Sequence, residues 1–514
     1  MKSNNKPLVK EALLAALIVL STPVSALDKP KTMEDMWKII EAQQKQIDEM
    51  KAGMAAAESK AVAGNVQIPE NKVSASNTQP PETKVTVSNT QTPEAKVAAS
   101  NVKNLERKTD ILSQEVEKLR TNLAIPEEKQ LKSAYGMGPA ASKVYQVGKG
   151  LSIGGYGEGF YQDVVGDKGG LKDDGTGTLK NPSNADLERM VLYVGYKFTD
   201  RILFNSEIEF EHATSGEGAE VKGEVSAEFA SLDFFIDPLA NVRTGLMLMP
   251  MGMINRIHEP LFYFGNHRPV VEQKIIPTTW REMGVGLFGA ITPNLTYTAY
   301  VVNGLNAKRF SSDGIREGTG GGSQALAQNL GYIAQVNYDP DALPGVTVGG
   351  SAYVGNSGQD QEYYGQKPSV LTQLYESHVQ WKYRGVEFRT LGSWGFVGNA
   401  DILSAAAGAN ATNGRAIGSQ NYGWYSEVGY DVLPLMFRDT PQYLAPFVRY
   451  EKLNTVAKAP TGFVSDPTKD QQIFQVGLSY KPIPQVVIKA DYRNFVAKQG
   501  TLPDDFNLGF GFIF

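Results

Sequence analysis

The chain contains no cysteine among its 514 residues. Disulfide bonds, thiol catalysis and cysteine-based metal sites are therefore excluded. The chain also lacks an apolar run of the roughly 20 residues that a spanning helix requires, so we expect no transmembrane helix. An excess of positive charge is absent too, because 50 Lys and Arg oppose 55 Asp and Glu. The net charge of -5 argues against a broad cationic surface, and we expect no nucleic-acid partner.

The first residues have the pattern of an export signal. Three lysines precede an apolar run at 12–20, which is followed by the small-x-small sequence Val24-Ser25-Ala26. A charged start, a short apolar centre and such a cleavage site are typical of secretory signal peptides, and the apolar run is too short to anchor the chain in a bilayer. We therefore predict a signal peptide at 1–26 and an exported mature chain.

Two stretches ahead of residue 148 repeat apolar residues with heptad spacing. The stretches are 27–56 and 102–124, and the residues at the shared position are Met33, Ile40 and Ile47 in the first, and Leu105, Leu112 and Leu119 in the second. This spacing is typical of coiled-coil helices, and a helix packed on its own domain is the alternative. We predict two coiled-coil segments that support assembly of a homotrimer.

The stretch between them, 57–101, is an internal repeat. Its copies, each 12 residues after the last, begin at Pro69-Glu70-Asn71-Lys72-Val73, Pro81-Glu82-Thr83-Lys84-Val85 and Pro93-Glu94-Ala95-Lys96-Val97. Proline at this interval prevents a continuous helix, and the copies hold too few apolar residues to form a core. We predict an extended linker here and a second linker at 125–147.

From residue 148 onward, the chain consists of short segments in which apolar and polar residues alternate. A period of two predicts strands that have unlike faces. The predicted strands are 149–161, 187–198, 201–211, 225–235, 240–249, 281–291, 294–304, 328–339, 346–355, 370–383, 385–395, 421–432, 443–452, 471–481, 485–494 and 505–514. An even number of strands, each about 10 residues long, is what a bacterial transmembrane barrel requires.

The connections between the predicted strands alternate in length. Short turns, such as Thr199-Asp200 and Thr292-Pro293, take turns with long polar loops, such as 162–186 and 396–420. Tryptophan and tyrosine residues concentrate near strand ends, where membrane barrels carry aromatic girdles. We predict an all-β transmembrane barrel of 16 antiparallel strands at 148–514. It would lie among the lipids of the Gram-negative outer membrane, with the helical and repetitive amino-terminal region in the periplasm.

The last strand carries the clearest alternation. At 506–514, aromatic residues and a leucine take every second position, and the chain ends in Phe514. This ending resembles the C-terminal signature of Gram-negative outer-membrane proteins. Closing a barrel requires the last strand to pair with the first. We therefore expect it to pair with the strand near 149–161, where Gly154-Gly155-Tyr156-Gly157 leaves room for a tight seam.

The alternation also assigns the inner and outer faces of the strands. Charged residues opposite the apolar face should line the lumen, and a charged wall requires water, so we expect a wet lumen. The residues predicted for this wall are Arg201, Glu207, Glu209, Arg243, Glu387, Arg389, Glu427, Arg449, Lys489, Asp491 and Arg493. Pairing of these charges across neighbouring strands is the alternative for several of them.

One long segment, 250–279, does not follow the alternation. It lies between the fifth and sixth predicted strands, which makes it the third long loop of the barrel, and porins fold this loop into the lumen as a constriction. The charged residues that we predict for the constriction are Arg256, His258, Glu259, His267, Arg268, Glu272 and Lys274. Its histidines and glutamates have no fixed metal-binding spacing, so we expect no metal and no cofactor.

Several motifs in and around this loop resemble the phosphate-selective porin O/P family. They are Pro250-Met251-Gly252-Met253-Ile254-Asn255, His258-Glu259-Pro260, Ile275 to Glu282, Gly284 to Gly289, and Val302-Asn303-Gly304-Leu305. The amino-terminal coil is similar to that of DcaP-type trimeric porins. The resemblance covers roughly 148–514 and implies a 16-stranded trimer with a folded-in loop.

The substrate is less well defined, because the predicted wall mixes both signs of charge. The sequence predicts passive diffusion of small hydrophilic solutes, and phosphate, dicarboxylates or no sharp preference stay open. A structural anchor, whose periplasmic coil contacts peptidoglycan or an envelope partner, is the alternative function. An enzyme is not expected: there is no G-x-S-x-G sequence, and Ser377 and His378 are adjacent residues that form no persuasive nucleophile pair.

Overall fold

A closed barrel of sixteen antiparallel strands is formed by the described residues of the computed structural model. These residues are 132–166, 183–213, 223–437 and 440–514, and all of them belong to one unit, Glu127–Phe514. The predicted signal peptide, both coiled-coil segments and the repeats at 57–101 lie outside the described residues. The barrel therefore provides the framework for any site.

The strands agree closely with those predicted from the alternation. They are β1 Gly150–Gly166, β2 Ser183–Thr199, β3 Ile202–Glu211, β4 Val225–Asp237, β5 Ala240–Leu248, β6 Arg281–Thr292, β7 Leu295–Asn303, β8 Leu330–Tyr338, β9 Val346–Asn356, β10 Leu371–Tyr383, β11 Val386–Val397, β12 Gln420–Tyr430, β13 Tyr443–Lys458, β14 Asp470–Ile483, β15 Val486–Ala497 and β16 Asp504–Ile513. The prediction of a 16-stranded antiparallel barrel is confirmed. The largest differences are at strand ends, since β1 and β13 extend beyond their predicted limits.

Each strand pairs with its neighbours in sequence, and β1 pairs with β16 to close the barrel. In this closing pair, Tyr156 lies opposite Ile513 and Gly157 lies opposite Phe512. The backbone groups of Gly155 and Phe514 then exchange two hydrogen bonds, of 3.0 Å and 2.9 Å. The expected pairing of the last strand with the glycine-rich first strand is therefore confirmed.

Burial alternates along the strands as the sequence pattern requires. In β16, Asn507 is fully buried, whereas Leu508 and Phe510 are each about half exposed on the outer surface. Successive strand residues point to opposite faces, so a sequence that alternates in polarity builds a wall with a polar inside and an apolar outside.

The connections define two ends of the barrel. At one end, which we call the turn end, the strands are joined at 200–201, 238–239, 293–294, 339–345, 384–385, 431–442 and 484–485. At the other, the loop end, they are joined at 167–182, 212–224, 249–280, 304–329, 357–370, 398–419, 459–469 and 498–503. The start of β1 and the end of β16 both lie at the turn end, because the number of strands is even.

Short helices lie in the connections and before β1. The α-helices are α1 Lys143–Gln146, α2 Val270–Lys274, α3 Ala400–Ala406 and α4 Leu433–Met436, and the 3-10 helices are Pro260–Phe262, Ala307–Arg309, Arg316–Gly318 and Pro467–Lys469. Within the described residues, none of the helices has the length and apolar character needed to cross a bilayer.

Three apolar clusters lie inside the barrel. The first joins loop 3, which we define as residues 250–279, to side chains of loops 304–329, 357–370 and 398–419. Trp280 and Ile276 are fully buried in it. The second cluster contains residues of 132–147, which we call the pre-barrel segment, together with inward side chains of β1, β2 and β4. The third and smallest joins Phe264 of loop 3 to Tyr443, Ala445 and Phe447 of β13. The interior is therefore largely occupied by the chain itself.

Candidate functional site

The charged residues of the inner wall are buried. Of the eleven residues predicted to line the lumen, ten are less than a tenth exposed: Glu207, Glu209, Arg243, Glu387, Arg389, Glu427, Arg449, Lys489, Asp491 and Arg493. The expectation of a wet wall is wrong for these ten, because paired charges, loop 3 and the pre-barrel segment shield them from water. The alternative, that these charges pair across neighbouring strands, describes several of them better.

Arg201 has a different location from the other wall residues. It lies in the turn between β2 and β3 and is exposed. Its side chain borders a cavity of about 670 Å³ at the turn end, together with Tyr135, Phe235, Arg256 and Phe288. Arg201 is therefore a rim residue of the turn end rather than part of the wall, because β3 begins one residue later than predicted.

A ladder of alternating charges runs across β11, β12 and β13. Arg389 pairs with Glu387 (3.0 Å) and with Glu427 (2.6 Å). Arg449 pairs with the other oxygen of Glu427 at 2.7 Å and also donates to the backbone oxygen of His267 in loop 3. Each guanidinium thus shares a carboxylate with its neighbour, which compensates the cost of burying these charges.

The charges of β15 hold loop 3 by its backbone and an asparagine. The Lys489 ammonium donates to the carbonyl oxygen of Gly265 at 2.9 Å. The carboxylate of Asp491 accepts from both the backbone N–H and the side chain of Asn266, each at 2.7 Å. Arg493 instead pairs with Asp505 of β16 at 2.6 Å. Two of the three wall charges of β15 therefore position the loop.

The wall of β4 and β5 binds the pre-barrel segment. Arg243 pairs with Asp233 through its Nε at 2.7 Å. The hydroxyl of Tyr145 donates to Asp233 at 2.9 Å and accepts from Arg243 at 3.0 Å. Arg243 also donates to the hydroxyl of Tyr300 on β7 at 3.2 Å. Asp233, Arg243 and Tyr145 therefore each bond to the other two side chains.

Loop 3 lies inside the barrel and crosses a large part of its wall. His258 contacts Glu207 of β3 at 3.0 Å, and His267 contacts Asn507 of β16 at 3.3 Å. Burial is the largest cause that lowers the pKa of His267, to about 4. His267 is therefore neutral at physiological pH and adds no charge to the loop.

Two carboxylates of loop 3 accept backbone hydrogen bonds and form no ion pair of 4 Å or less with a described lysine or arginine. Glu272 accepts from the backbone N–H of Met253 (3.0 Å) and Ile254 (2.8 Å), and from the hydroxyl of Tyr425 (2.6 Å). Burial raises the pKa of Glu272 to about 7, although these hydrogen bonds oppose it. Burial likewise raises the pKa of Glu259 to about 8. Both groups are therefore less negative near neutral pH than ordinary carboxylates.

Two arginines of loop 3 form no ion pair with a described carboxylate. Arg256 donates to the hydroxyl of Thr298 at 3.2 Å and to the amide oxygen of Gln335. Arg268 donates to the hydroxyl of Thr279 at 2.9 Å, and two of its other nitrogens are buried without a hydrogen bond. Burial lowers the pKa of Arg256 to about 10, so it stays charged at neutral pH.

The remaining residue predicted for the constriction is Lys274, at the end of α2. It is half-buried, and burial lowers its pKa, while the nearby Asp313 carboxylate opposes the change. A cavity of about 170 Å³ lies beside the same loop and is lined by Arg268, His267, Arg189 and Glu188, among others. Arg268 is thus the charged residue of loop 3 that borders this cavity, as do the carboxylates of Glu188 and Glu211.

Sequence reasoning missed several buried residues of the wall. Arg189 of β2 binds Glu158 (2.9 Å), Glu188 (2.8 Å) and Glu209 (3.2 Å). A register shift in β1 opposite this region disturbs the simple alternation. The sequence nevertheless carried a signal for the location of Arg189. Arg189, Val191 and Tyr193 are alternate residues of one strand, so they share one face, and all three are buried.

A second missed group lies on β8 and β10. His378 contacts Glu376 at 2.6 Å and Asn337 at 3.0 Å, and both His378 and Glu376 are buried inside the barrel. Ser377, between them in sequence, is exposed on the opposite face. Within the described residues, no group of three His, Asp or Glu side chains is arranged to hold a metal ion.

Comparison with known proteins gives one relative in sequence. An uncharacterized protein of Aquifex aeolicus (strain VF5) is 37% identical over 388 residues, which cover 73% of this chain and 82% of that protein. No family model matches the chain. Membership of the phosphate-selective porin O/P family therefore stays a prediction.

Similar solved structures include three outer-membrane proteins. The outer membrane channel DcaP of Acinetobacter baumannii is 13% identical, with a TM-score of 0.44 over 71% of this chain and 97% of that one. OmpF of Salmonella typhi, in complex with daunomycin, is 13% identical with a TM-score of 0.45 over 71% and 98%. A loop-deletion mutant of OmpT from Vibrio cholerae is 10% identical with a TM-score of 0.44 over 72% and 100%.

Proposed function

The chain belongs to the family of this Aquifex aeolicus protein, and we propose that it forms an outer-membrane channel through which small hydrophilic solutes diffuse. The observation that carries this proposal is the closed 16-stranded barrel with a charged inner wall and an apolar outer wall. An outer wall of this kind suits lipid, and a closed barrel leaves no unpaired strand edge in the bilayer.

The outer wall supports a membrane location in its details. Trp381, at the turn end of β10, is paired in register with Phe388, and Trp394 lies further along β11 toward the loop end. The six residue steps from 388 to 394 span about 20 Å of strand. Both tryptophans are partly exposed outward, as expected for two aromatic girdles at the two membrane surfaces. Bacterial outer-membrane barrels have their short turns in the periplasm, so the turn end, together with the chain ahead of β1, would face the periplasm.

A modest preference for anions is the second part of the proposal. It is supported by Arg256 and Arg268, which lack a described carboxylate partner, and by the raised pKa values of Glu259 and Glu272. Together these leave loop 3 with more positive than negative charge near neutral pH. A positive constriction favours the entry of anions, and phosphate and dicarboxylates are the candidate solutes.

Assembly as a homotrimer is also part of the proposal, and it rests on the heptad spacing at 27–56 and 102–124. Native gel electrophoresis of a chain without 27–124 tests the contribution of these stretches. We expect the shortened chain to lose the trimer, and an unchanged trimer would show that the barrel assembles by itself.

Conductance in planar bilayers tests the channel directly. The purified protein should carry ion current, and the reversal potential across a salt gradient should show a modest preference for anions. Phosphate and succinate should block the current more strongly than neutral sugars. Equal block by all three would remove the anion preference while leaving the channel in place.

A second candidate function is a structural anchor that contacts peptidoglycan or an envelope partner. The observation that favours it is the occupied interior, in which ten charged wall residues are buried. An anchor does not require a passage for solutes. Purified protein that inserts into bilayers but carries no current under any condition would support the anchor and exclude the channel.

A further inference from the structure

The pre-barrel segment (132–147) folds as a small unit on itself. The backbone N–H of Met137 donates to the carbonyl oxygen of Ala134 at 2.9 Å. The hydroxyl of Ser142 accepts from the N–H of Ala134 at 2.9 Å and donates to the carbonyl oxygen of Met137 at 3.1 Å. The sequence predicts a linker here, but these contacts give the segment a defined shape ahead of α1.

Two glycines of the segment lie directly against side chains of loop 3. A Cβ atom on Gly136 would lie 2.1 Å from a guanidinium nitrogen of Arg256, and Gly136 also has a φ of +79°. A Cβ atom on Gly138 would lie 2.4 Å from Oε1 of Glu259. Both distances are shorter than van der Waals contact, so a larger residue at either position would have to displace the end of the Arg256 or Glu259 side chain.

Two glycines of the wall lie against the segment on its other side. A Cβ atom on Gly154 of β1 would lie 2.8 Å from the carbonyl oxygen of Ala140. A Cβ atom on Gly195 of β2 would lie 2.5 Å from a methyl group of Val144. The glycines of the segment lie against loop 3, and the glycines of the wall lie against the segment. The segment is therefore closely packed on both sides.

Polar side chains of the wall bind the backbone of the segment. The amide of Asn205 donates to the carbonyl oxygen of Ala141 at 2.9 Å, and the ammonium of Lys197 donates to that of Val147 at 3.1 Å. Asn205 lies three residues inside the start of β3, which places this contact about 10 Å from the turn end. The segment therefore enters the lumen instead of resting on its rim.

The apolar side chains of the segment contact a wide arc of the wall. Met137, Ala140 and Ala141 share a buried cluster with residues contributed by β1, β2, β4, β5, β15 and β16. Leu261 of loop 3 belongs to the same cluster. The segment thus fills the space between loop 3 and the wall on one side of the lumen.

From this fit we propose that the pre-barrel segment is a plug, which closes the turn end of the lumen and must be displaced before solutes pass. The proposal rests on the channel function proposed above. The plug is bound by its own chain, so its effective concentration at the lumen is high and moderate contacts suffice to keep it in place. Displacement breaks the contacts with Asn205, Asp233 and Glu259 without breaking any strand pairing.

A reversible crosslink tests the plug, because the chain has no cysteine of its own. A Cβ on Gly195 would lie 2.7 Å from the Cβ of Val144, and a shift of about 1 Å brings this pair to the separation found in disulfides. The double variant Val144→Cys with Gly195→Cys is compared in oxidised and reduced form, and the two single variants are the controls. Heat-modifiable migration on gels verifies that each variant is folded.

A second variant is designed to displace the plug. Gly138→Leu places a side chain against Glu259 and should expel the segment from the lumen. Gly148→Leu is the matched control, since a Cβ at Gly148 meets no atom within 4 Å. Planar-bilayer conductance is the measurement for both variants.

We expect oxidation of the double variant to abolish current, reduction to restore it, and Gly138→Leu to raise it above that of the unmodified chain. Equal current in oxidised, reduced and Gly138→Leu forms would overturn the plug and leave the channel standing. Absence of current in every folded form, Gly138→Leu included, would overturn the channel, and the plug with it.

Discussion

The carboxylate of Glu259 accepts a hydrogen bond of 3.0 Å from the backbone N–H of Ala140, which lies 119 positions earlier in the chain. The same oxygen accepts from Ala141 at 3.4 Å. Glu259 belongs to loop 3 and Ala140 to the pre-barrel segment, so one side chain connects the two parts of the chain that occupy the lumen. Changes at Glu259 should therefore affect how firmly the segment is held.

We first predict that closure by the segment weakens as pH rises. Burial is the largest cause of the raised pKa of Glu259, about 8, and nearby Glu207 adds to it, while the two backbone N–H groups and Lys143 lower it. A carboxyl whose pKa is raised in the closed state binds more protons there, so closure is favoured at low pH and lost as pH rises through about 8. Conductance should increase from about pH 5 to about pH 8 and then level off, because above that pH the carboxyl is ionised in both states.

The variant Glu259→Gln tests the origin of this pH dependence. Its amide oxygen can still accept from Ala140 but does not ionise, so the rise in conductance should flatten. Glu362→Gln, at an exposed loop position, is the control and should retain the full response. Identical pH profiles for Glu259→Gln and the unmodified chain would assign the response to another group.

Our second prediction concerns ion selectivity. Arg256→Ala and Arg268→Ala each remove a guanidinium without a described carboxylate partner, so the reversal potential in a salt gradient should shift toward cations. Arg384→Ala removes an exposed arginine from a turn and should leave the reversal potential unchanged. A shift of equal size in all three variants would show that the total charge matters rather than loop 3.

The third prediction concerns the seam between β1 and β16. A Cβ on Gly157 would lie 2.7 Å from the ring of Phe512, and one on Gly155 would lie 2.6 Å from the ring of Phe514. Aromatic rings that cover glycines of the neighbouring strand stabilise strand pairing. Gly157→Leu and deletion of Phe514 should therefore lower the yield of heat-modifiable, folded barrel. The conductance of the molecules that do fold should be unaffected, and Gly148→Leu serves as the matched substitution.

The fourth prediction compares two tryptophans. Trp280 is fully buried in the apolar cluster of loop 3, and its ring meets that of Tyr353 at 4.9 Å. Trp280→Ala should lower the free energy of unfolding by about 3–5 kcal/mol, as expected for a buried aromatic residue. Trp394 is half exposed on the outer wall, so Trp394→Ala should lower the free energy of unfolding by a smaller amount. Denaturant titration followed by gel migration measures both, and equal losses would contradict a packed interior.

Much of the barrel could be predicted because strand alternation is a local signal. Each residue of β16 faces inward or outward according to its parity, and this holds before any partner strand is known. The same rule placed Glu427, Arg449 and Asp491 on the inner wall. It was less accurate at Arg201, where a strand end interrupts the period. It would have placed Arg189 on the inner wall, but the predicted wall omitted this residue.

The sequence by itself thus determined the strands, their faces and the position of loop 3, because each depends on residues that are neighbours in the chain. Only the tertiary structure decided that the wall charges are paired and shielded, and that 132–147 enters the lumen. Glycine and alanine in that segment indicate a linker when read locally. Their function depends on Arg256, Glu259 and Gly154, which are distant in sequence and come close only when the barrel closes.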